Sequence, residues 1–338
     1  MTSSAAASPL PLTSDQWPRV TVLLCTFNGE RYLDEALRSV REQTLTDIEI
    51  LVVDDGSSDR TGEILARHAA DDPRIRVERI AHRGLADARN HGLELARSRW
   101  VALMDDDDVA LPERLERQLA YVTANPGVAA LGTWAWHIGP RGHRSSVSDT
   151  GPVSKHDLDR IRSECKAVFL ITPTVVLDRD VIVAIGGFRQ SMFPAEDLDL
   201  WTRLADTRTV LVLPERLLHY RVHHGSVSST RFGQQMERSL LIEENARRRR
   251  EGRLELSVAE FQQSLRGQSR WRRIQRARLW RARYQYRVAG ALLADRDPRG
   301  VLWLTGSVLL APSVVLGRLR RQLIPGLAAR EGLRSTRP

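Results

Sequence analysis

Between Val20 and Asp108 the chain alternates two kinds of hydrophobic spacing. "VTVLLCTF" (20–27), "IEILVVDD" (48–55), "IRVERI" (75–80) and "WVALMDDDD" (100–108) open as short apolar, β-branched runs. Such runs are expected of strands buried on both faces of a parallel sheet. The stretches between them follow another period. "RYLDEALRSVREQT" (31–44) puts Leu33, Ala36, Leu37 and Val40 on one face of a helix, and "TGEILARHAADD" (61–72) does the same with Ile64, Leu65 and His68. "GLADARNHGLELARS" (84–98) reads as a third helix. A β-α-β-α-β-α-β series predicts a doubly wound α/β sheet. Farther on, "LGTWAWHIG" (131–139) reads as another strand. There, Trp134 and Trp136 alternate with small residues, as core packing in a strand would have them.

In a sheet of this kind ligands sit beyond the carboxyl ends of the strands. Those ends hold Cys25-Thr26-Phe27-Asn28, then Asp54-Asp55-Gly56-Ser57-Ser58-Asp59, then Asp105 to Asp108. Four adjacent acids repel one another and add nothing to an apolar core. A divalent cation at the sheet edge would neutralise them. The turn after the first strand, "CTFNGERY", has one glycine and lacks the G-x-G-x-x-G of dinucleotide folds. Phosphates would then be held through a metal rather than by backbone N–H groups. Asp108, followed by Pro112 and "LPERLERQ", also suits the start of a helix.

Charge divides the chain. Residues 231–338 carry 24 Arg against 9 acids, whereas the first 230 hold 27 basic and 33 acidic residues. "ARRRR" (246–250) and "RWRRIQRARLWRARYQYR" (270–287) make the back an Arg-rich helical extension interleaved with Trp and Tyr. That composition suits an anionic membrane surface, with packing on the front domain or a second copy as the competing reading. No nucleic-acid recognition motif is present, so nucleic acid is not an expected partner. The apolar run 301–316 is 16 residues long and contains Pro312, short of the ~20 residues that span a bilayer. Residues 1–18 are Ser/Ala/Pro-rich without a basic start or apolar run, and read as a disordered leader. Two cysteines, Cys25 and Cys165, make neither a disulfide framework nor a zinc site. A cytoplasmic chain is expected, peripheral on the inner face of the membrane if the tail docks there.

Five blocks in order, from "VTVLLCTFNGERYLDEALRSVREQT" through "EILVVDDGSSDRT", "GLADARNHGLELARSRWVALMDDDD", "IGGFRQSMFPAEDLDLWTRLA" and "YRVHHGSVS", resemble the family 2 glycosyltransferases of GT-A fold. The resemblance covers roughly 19–230, with 231–338 as the extension. It implies transfer of a sugar from a nucleotide-diphosphate sugar to a glycan or lipid-linked acceptor, with inversion, in cell-surface polysaccharide synthesis. Mg²⁺ or Mn²⁺ is the implied cofactor. Thr26 and Phe27 match the first nucleotide-binding turn, and Asp55 the carboxylate that reads the base, with Asp54 and Glu30 beside it. Arg89 and Asn90 match residues near the base and diphosphate. Asp105 and Asp107 form the D-x-D pair, Asp107 the leading metal ligand; Asp106 fills a position often small and neutral in the family. Gly187, after Gly186, matches the glycine pair near the reacting sugars. Glu196-Asp197 matches the "ED" element, with Asp197 the implied base. His223 matches a late histidine that contacts diphosphate or metal. The Q-x-x-R-W of processive synthases fails at Gly267 in "RGQSRW", which implies single additions. The alternative is a degenerate, non-catalytic member; it would have lost the D-x-D or ED acids, and all are present.

Overall fold

The computed structural model describes residues 18–223, 230–294 and 297–316. The leader, except Pro18, and the end of the "YRVHHGSVS" block lie outside the described residues. Nine strands form one mixed sheet: β1 (Val20–Thr26), β2 (Ile48–Asp54), β3 (Ile75–Arg79), β4 (Trp100–Asp105), β5 (Val109–Ala110), β6 (Val128–Ile138), β7 (Arg144–Ser148), β8 (Val176–Asp178) and β9 (Thr209–Arg221). Their order is β3-β2-β1-β4-β8-β6-β9-β5, with β7 pairing β6. The first four are parallel, while β8 is antiparallel to both of its neighbours. This is the doubly wound α/β sheet that the hydrophobic spacing predicts, and antiparallel β8 makes it the mixed sheet that the GT-A resemblance implies.

Side chains of a strand alternate between its two faces, and both faces here are covered. Val20, Val22 and Leu24 join one core with α1 (Leu33–Arg41), α2 (Thr61–Asp71) and α4 (Arg114–Ala124). Leu23 and Cys25 join the other with α3 (Leu85–Leu95), α5 (Lys155–Ser163), α6 (Arg179–Ala184) and α7 (Glu196–Thr207). All seven residues of β1 and of β2 are buried. Each such Leu, Val or Ile contributes about 1.5–3 kcal/mol when removed from water. Register then places the chemistry: Thr26 lies opposite Asp54, and Cys25 opposite Asp105. The three strands therefore end level.

One predicted element is wrong in a way that matters. The fourth strand does not run to Asp108: β4 stops at Asp105, and Asp106 and Asp107 form a turn before β5. Four ionisable acids cannot continue a strand into a buried sheet, so the backbone turns where they begin. Asp108 is no helix cap either, because α4 starts at Arg114 after Glu113.

Beyond the sheet, α8 (Phe232–Arg250) packs on α7 and buries Leu241, Ile242, Asn245 and Ala246. α9 (Val258–Arg266) opens with a capping box, in which Ser257 and Glu260 exchange hydrogen bonds. Phe261 and Leu265 of α9 meet Leu241 and Met192 in a third apolar cluster. The long α10 (Arg270–Ala294) and α11 (Arg299–Leu310) pack against each other. No described helix is long and apolar enough to cross a membrane.

Candidate active site

The acid turn is built from four carboxylates with different surroundings. Asp105, Asp107 and Asp108 bring ligand oxygens within 4.8 Å of one another. Asp106 turns aside and accepts a hydrogen bond from the Thr26 hydroxyl. Asp107 pairs with His223 Nε2 at 2.8 Å. Asp108 is 1 % exposed; its Oδ1 accepts the backbone N–H of Arg221 at 2.7 Å, while its Oδ2 is buried without a partner. Burial, then the neighbouring Asp107 charge, pushes Asp108 well above the usual carboxylate range and Asp106 up to about 7. Asp105 is raised by burial and held back by Arg89; its side chain is still 32 % exposed, so water offsets part of the shift.

Cations stand behind this turn without neutralising it. Arg221 is 2 % exposed, donates from Nε to the Asp107 carbonyl at 2.7 Å and pairs with Glu35 at 2.7 Å. Arg114 donates to the Leu103 carbonyl, and burial lowers its guanidinium to about 10. Hard oxygen donors, an orphaned buried oxygen and raised carboxylates fit Mg²⁺ or Mn²⁺. Asp105, Asp107 and Asp108 are the residues placed to hold such an ion. Asp108 was missed in the sequence because a helix start explained it equally well.

A second group surrounds the ends of β1 and β2. Phe27 is 45 % exposed and stacks on His82, ring centroids 4.0 Å apart at 25°. An aromatic at a strand end is usually core; this one faces out. Asp55 is buried; its two oxygens accept the backbone N–H groups of Arg83 and Gly84 at 2.8 and 2.9 Å, and His82 Nδ1 lies 2.9 Å from Oδ2. Asp55 thus fixes the loop that carries His82 under Phe27. Asp54 is taken up by its own turn: Oδ1 accepts from Ser57 N at 2.9 Å, with Arg79 3.7 Å from Oδ2. Glu30 accepts from Arg60 N at 3.1 Å, where the loops after β1 and β2 meet.

The third group is the start of α7. Arg89 is 5 % exposed and bridges Asp105 (2.9 Å) and Glu196 (3.3 Å), tying the acid turn to this helix. Burial, then the Asp197 charge, raises Glu196 to about 7. Asp197 accepts from the Thr172 hydroxyl and from Leu198 N, both at 2.7 Å. The preceding loop is held by polar clamps. Asn90 exchanges two 2.8 Å hydrogen bonds with the backbone of Phe188. Arg203 donates to the carbonyls of Ile185 and Gly187 and pairs with Asp199 at 2.8 Å. Gly187, at φ +60°, sits so close to Asn90 that a Cβ would lie 2.4 Å from its Oδ1. The structure thus gives Arg89 and Asn90 positioning contacts with protein groups, beside the ligand contacts expected from the resemblance.

The profile of "Glycosyl transferase family 2" matches residues 21–186. The amylovoran biosynthesis glycosyltransferase AmsE of Erwinia amylovora is 30% identical over 215 residues, 62% of this chain and 79% of that protein. The chain belongs to glycosyl transferase family 2. An uncharacterized glycosyltransferase of Haemophilus influenzae is 29% identical over 230 residues, covering 65% of this chain and 70% of that one. Among solved structures, S. aureus TarS 1-349 in complex with UDP has a TM-score of 0.54 at 17% identity, over 88% of this chain and 92% of that one. The mannosyltransferase PcManGT of Pyrobaculum calidifontis, in complex with GDP-Man and Mn²⁺, has a TM-score of 0.53 at 20% identity, over 89% and 80%. The fold of this family member is therefore GT-A, and the chain is a glycosyltransferase.

Proposed function

We propose that the chain moves a sugar from a nucleotide-diphosphate sugar to a hydroxyl of a glycan or lipid-linked acceptor, in one displacement with inversion, during cell-surface polysaccharide synthesis. The observation that carries this reading is Arg89, which links the acids at the end of β4 to the carboxylates opening α7. Leaving-group and nucleophile chemistry are thereby held side by side. The relative named for amylovoran synthesis and the UDP and GDP-Man complexes of similar fold support the same assignment.

Phe27 and His82 offer a stacked edge for a base, and the loop fixed by Asp55 its polar neighbours. Thr26 and Asp106 stand between this loop and the acid turn, where a ribose and diphosphate would lie. Asp105, Asp107 and Asp108 would hold Mg²⁺ or Mn²⁺, with His223 steering Asp107. A hard cation there stabilises the charge that builds on the departing diphosphate. Asp197 takes the proton of the acceptor hydroxyl. Its Oδ2 is oriented by Thr172, and general-base assistance of this kind is worth ~10²–10⁴-fold. Glu196, paired with Arg89, holds the start of α7 in place. Attack opposite the leaving group gives inversion. The basic extension holds the enzyme at an anionic membrane surface, from the cytoplasmic side.

Calorimetric titration with UDP, GDP and dTDP, each with Mn²⁺ and with EDTA, tests the donor site. One nucleotide should bind only with metal, and Asp107→Ala should abolish that binding. Folded protein that binds none of the three would refute the reading.

A further inference from the structure

The segment 188–195 carries the chain from the glycine pair into α7, so it sets where Gly187 and Asp197 stand. On one side it is fastened by Asn90 to Phe188, and by Gln190, whose Nε2 donates to the Arg83 carbonyl at 3.3 Å. On the other side it is held from beyond residue 230. Met192 sits in the apolar cluster of Leu241, Phe261 and Leu265. Gln235 Nε2 of α8 donates to the Pro194 carbonyl at 3.4 Å. Arg189 Nη1 donates to Glu255 Oε2 at 2.6 Å. Glu255 belongs to the loop between α8 and α9, well past the last strand of the sheet.

Glu255 closes a chain of alternating charges. Its Oε1 accepts from Arg249 of α8 at 2.7 Å, and Arg249 Nε pairs with Asp206 near the end of α7 at 2.6 Å. Its other partner, Arg189, also lies 3.8 Å from Asp199, which is 2 % exposed and holds Arg203 at 2.8 Å. Arg203 in turn donates to the Gly187 carbonyl at 2.6 Å. Three arginines thus meet three carboxylates. Burial pushes the Glu255 carboxyl up, and hydrogen bonds from Arg249 and Arg189 more than offset it, so it lies below the usual carboxylate range.

Two distances give Glu255 its task. Arg189 stands 2.6 Å from Glu255 and 3.8 Å from Asp199. While Glu255 is charged, Asp199 is left to Arg203. With that charge removed, buried Asp199 is the acid that Arg189 still reaches, and two guanidinium groups compete for it. Arg203 then loses part of the anchor from which it holds Gly187.

We propose that Glu255 is a positioning residue for sugar transfer: it keeps Arg189 off Asp199, so that Arg203 holds the glycine pair and α7 presents Asp197. This rests on the glycosyltransferase reading above and extends the working site into the region after residue 230.

Four full-length proteins test it: wild type, Glu255→Gln, Arg189→Gln and the double variant. Hydrogen exchange is followed by mass spectrometry over 185–199, with 20–54 as the internal reference. Glu255→Gln should raise exchange in 185–199 severalfold and leave 20–54 as in wild type. Removing Arg189 as well should reverse most of that rise, because the competitor for Asp199 is gone. Turnover should follow the same order. It is read as release of nucleoside diphosphate from UDP-glucose, UDP-N-acetylglucosamine and GDP-mannose with Mn²⁺, water serving as acceptor. Glu255→Gln should lower kcat about tenfold with KM for the donor unchanged, and the double variant should recover most of it. Where none of the three donors turns over, the exchange result decides alone. A bridge that merely adds stability predicts a double variant no better than Glu255→Gln. That outcome overturns the proposal, and so does unchanged exchange in Glu255→Gln. Nucleotide binding with Mn²⁺ separates the two readings. A wild type that binds none of UDP, GDP and dTDP refutes the donor reading, and the positioning role with it. A wild type that binds one of them, with 185–199 indifferent to Glu255→Gln, refutes the role of Glu255 alone.

Discussion

Two acidic clusters in the same domain have opposite electrostatics. Between α1 and α2, Asp34, Asp71 and Asp72 stand among Arg38, Arg41, Arg67, Arg74 and His68. His68 Nε2 lies 2.9 Å from Asp34, and Arg74 donates to Asp72 at 2.8 Å. The His68 hydrogen bond holds Asp34 below the usual carboxylate range, and the Arg74 hydrogen bond does the same for Asp72. At the end of β4 the acids outnumber the cations that reach them, and Asp105, Asp106 and Asp108 are all raised. Acids matched by protein cations make a structural network. Acids left unmatched and buried mark a place where a positive charge has yet to arrive.

Substitution can break that contrast. The largest effect is expected from Asp197→Asn, which should lower kcat by about 10²–10⁴-fold in a sugar-transfer assay with little change in nucleotide affinity. Asp71→Asn, in the matched cluster, should leave turnover unchanged. Equal losses would erase the distinction between the two regions.

A second effect, on the order of 1–3 kcal/mol, concerns Asp108. Its folded pKa is raised, so its contribution favours the fold below the ordinary carboxylate pKa and is lost as pH climbs through the raised value. Asp106, raised to about 7, shifts stability in the same direction. Without divalent ions, the melting temperature should therefore fall between pH 5 and pH 8. Mn²⁺ should restore it more at pH 8 than at pH 5. Asp108→Asn should flatten the metal-free profile and remove most of the Mn²⁺ response, as scanning calorimetry would reveal.

The smallest effect has the opposite sign. Asp72→Asn should cost about 1.5 kcal/mol at pH 7, the lower end expected for a hydrogen bond to a charged group. Because Asp72 is lowered in the fold, its stabilisation is full above the ordinary carboxylate pKa and disappears as pH falls through the folded value. Denaturant midpoints of wild type and Asp72→Asn should converge in strong acid, and neither should respond differently to Mn²⁺.

Much of this was legible in the sequence. Parallel strands buried on both faces write themselves as unbroken apolar runs, whereas Asp105 and Asp107 come together through a turn after β4 and not through strand alternation. Local pattern could not settle tasks shared between distant residues. Asn90 looks like a ligand contact, yet its partner Phe188 lies 98 positions away and shows only in three dimensions. His82 carried no periodic signal, and its meaning comes from the ring of Phe27. The run 301–316 carries no charged residue, so its composition could not say which side of α11 the fold would cover.

The apolar cluster that joins Met192 to Leu241, Phe261 and Leu265 bears on how this enzyme can be recombined with its relatives. The sequence invites a cut near residue 230, where the charge changes. A hybrid joined there would pair the loop before α7 with a foreign α8 and α9, and would lose the Arg189–Glu255 and Arg249–Asp206 bridges. A join at Gly267, after α9, would keep that cluster and both bridges within one parent.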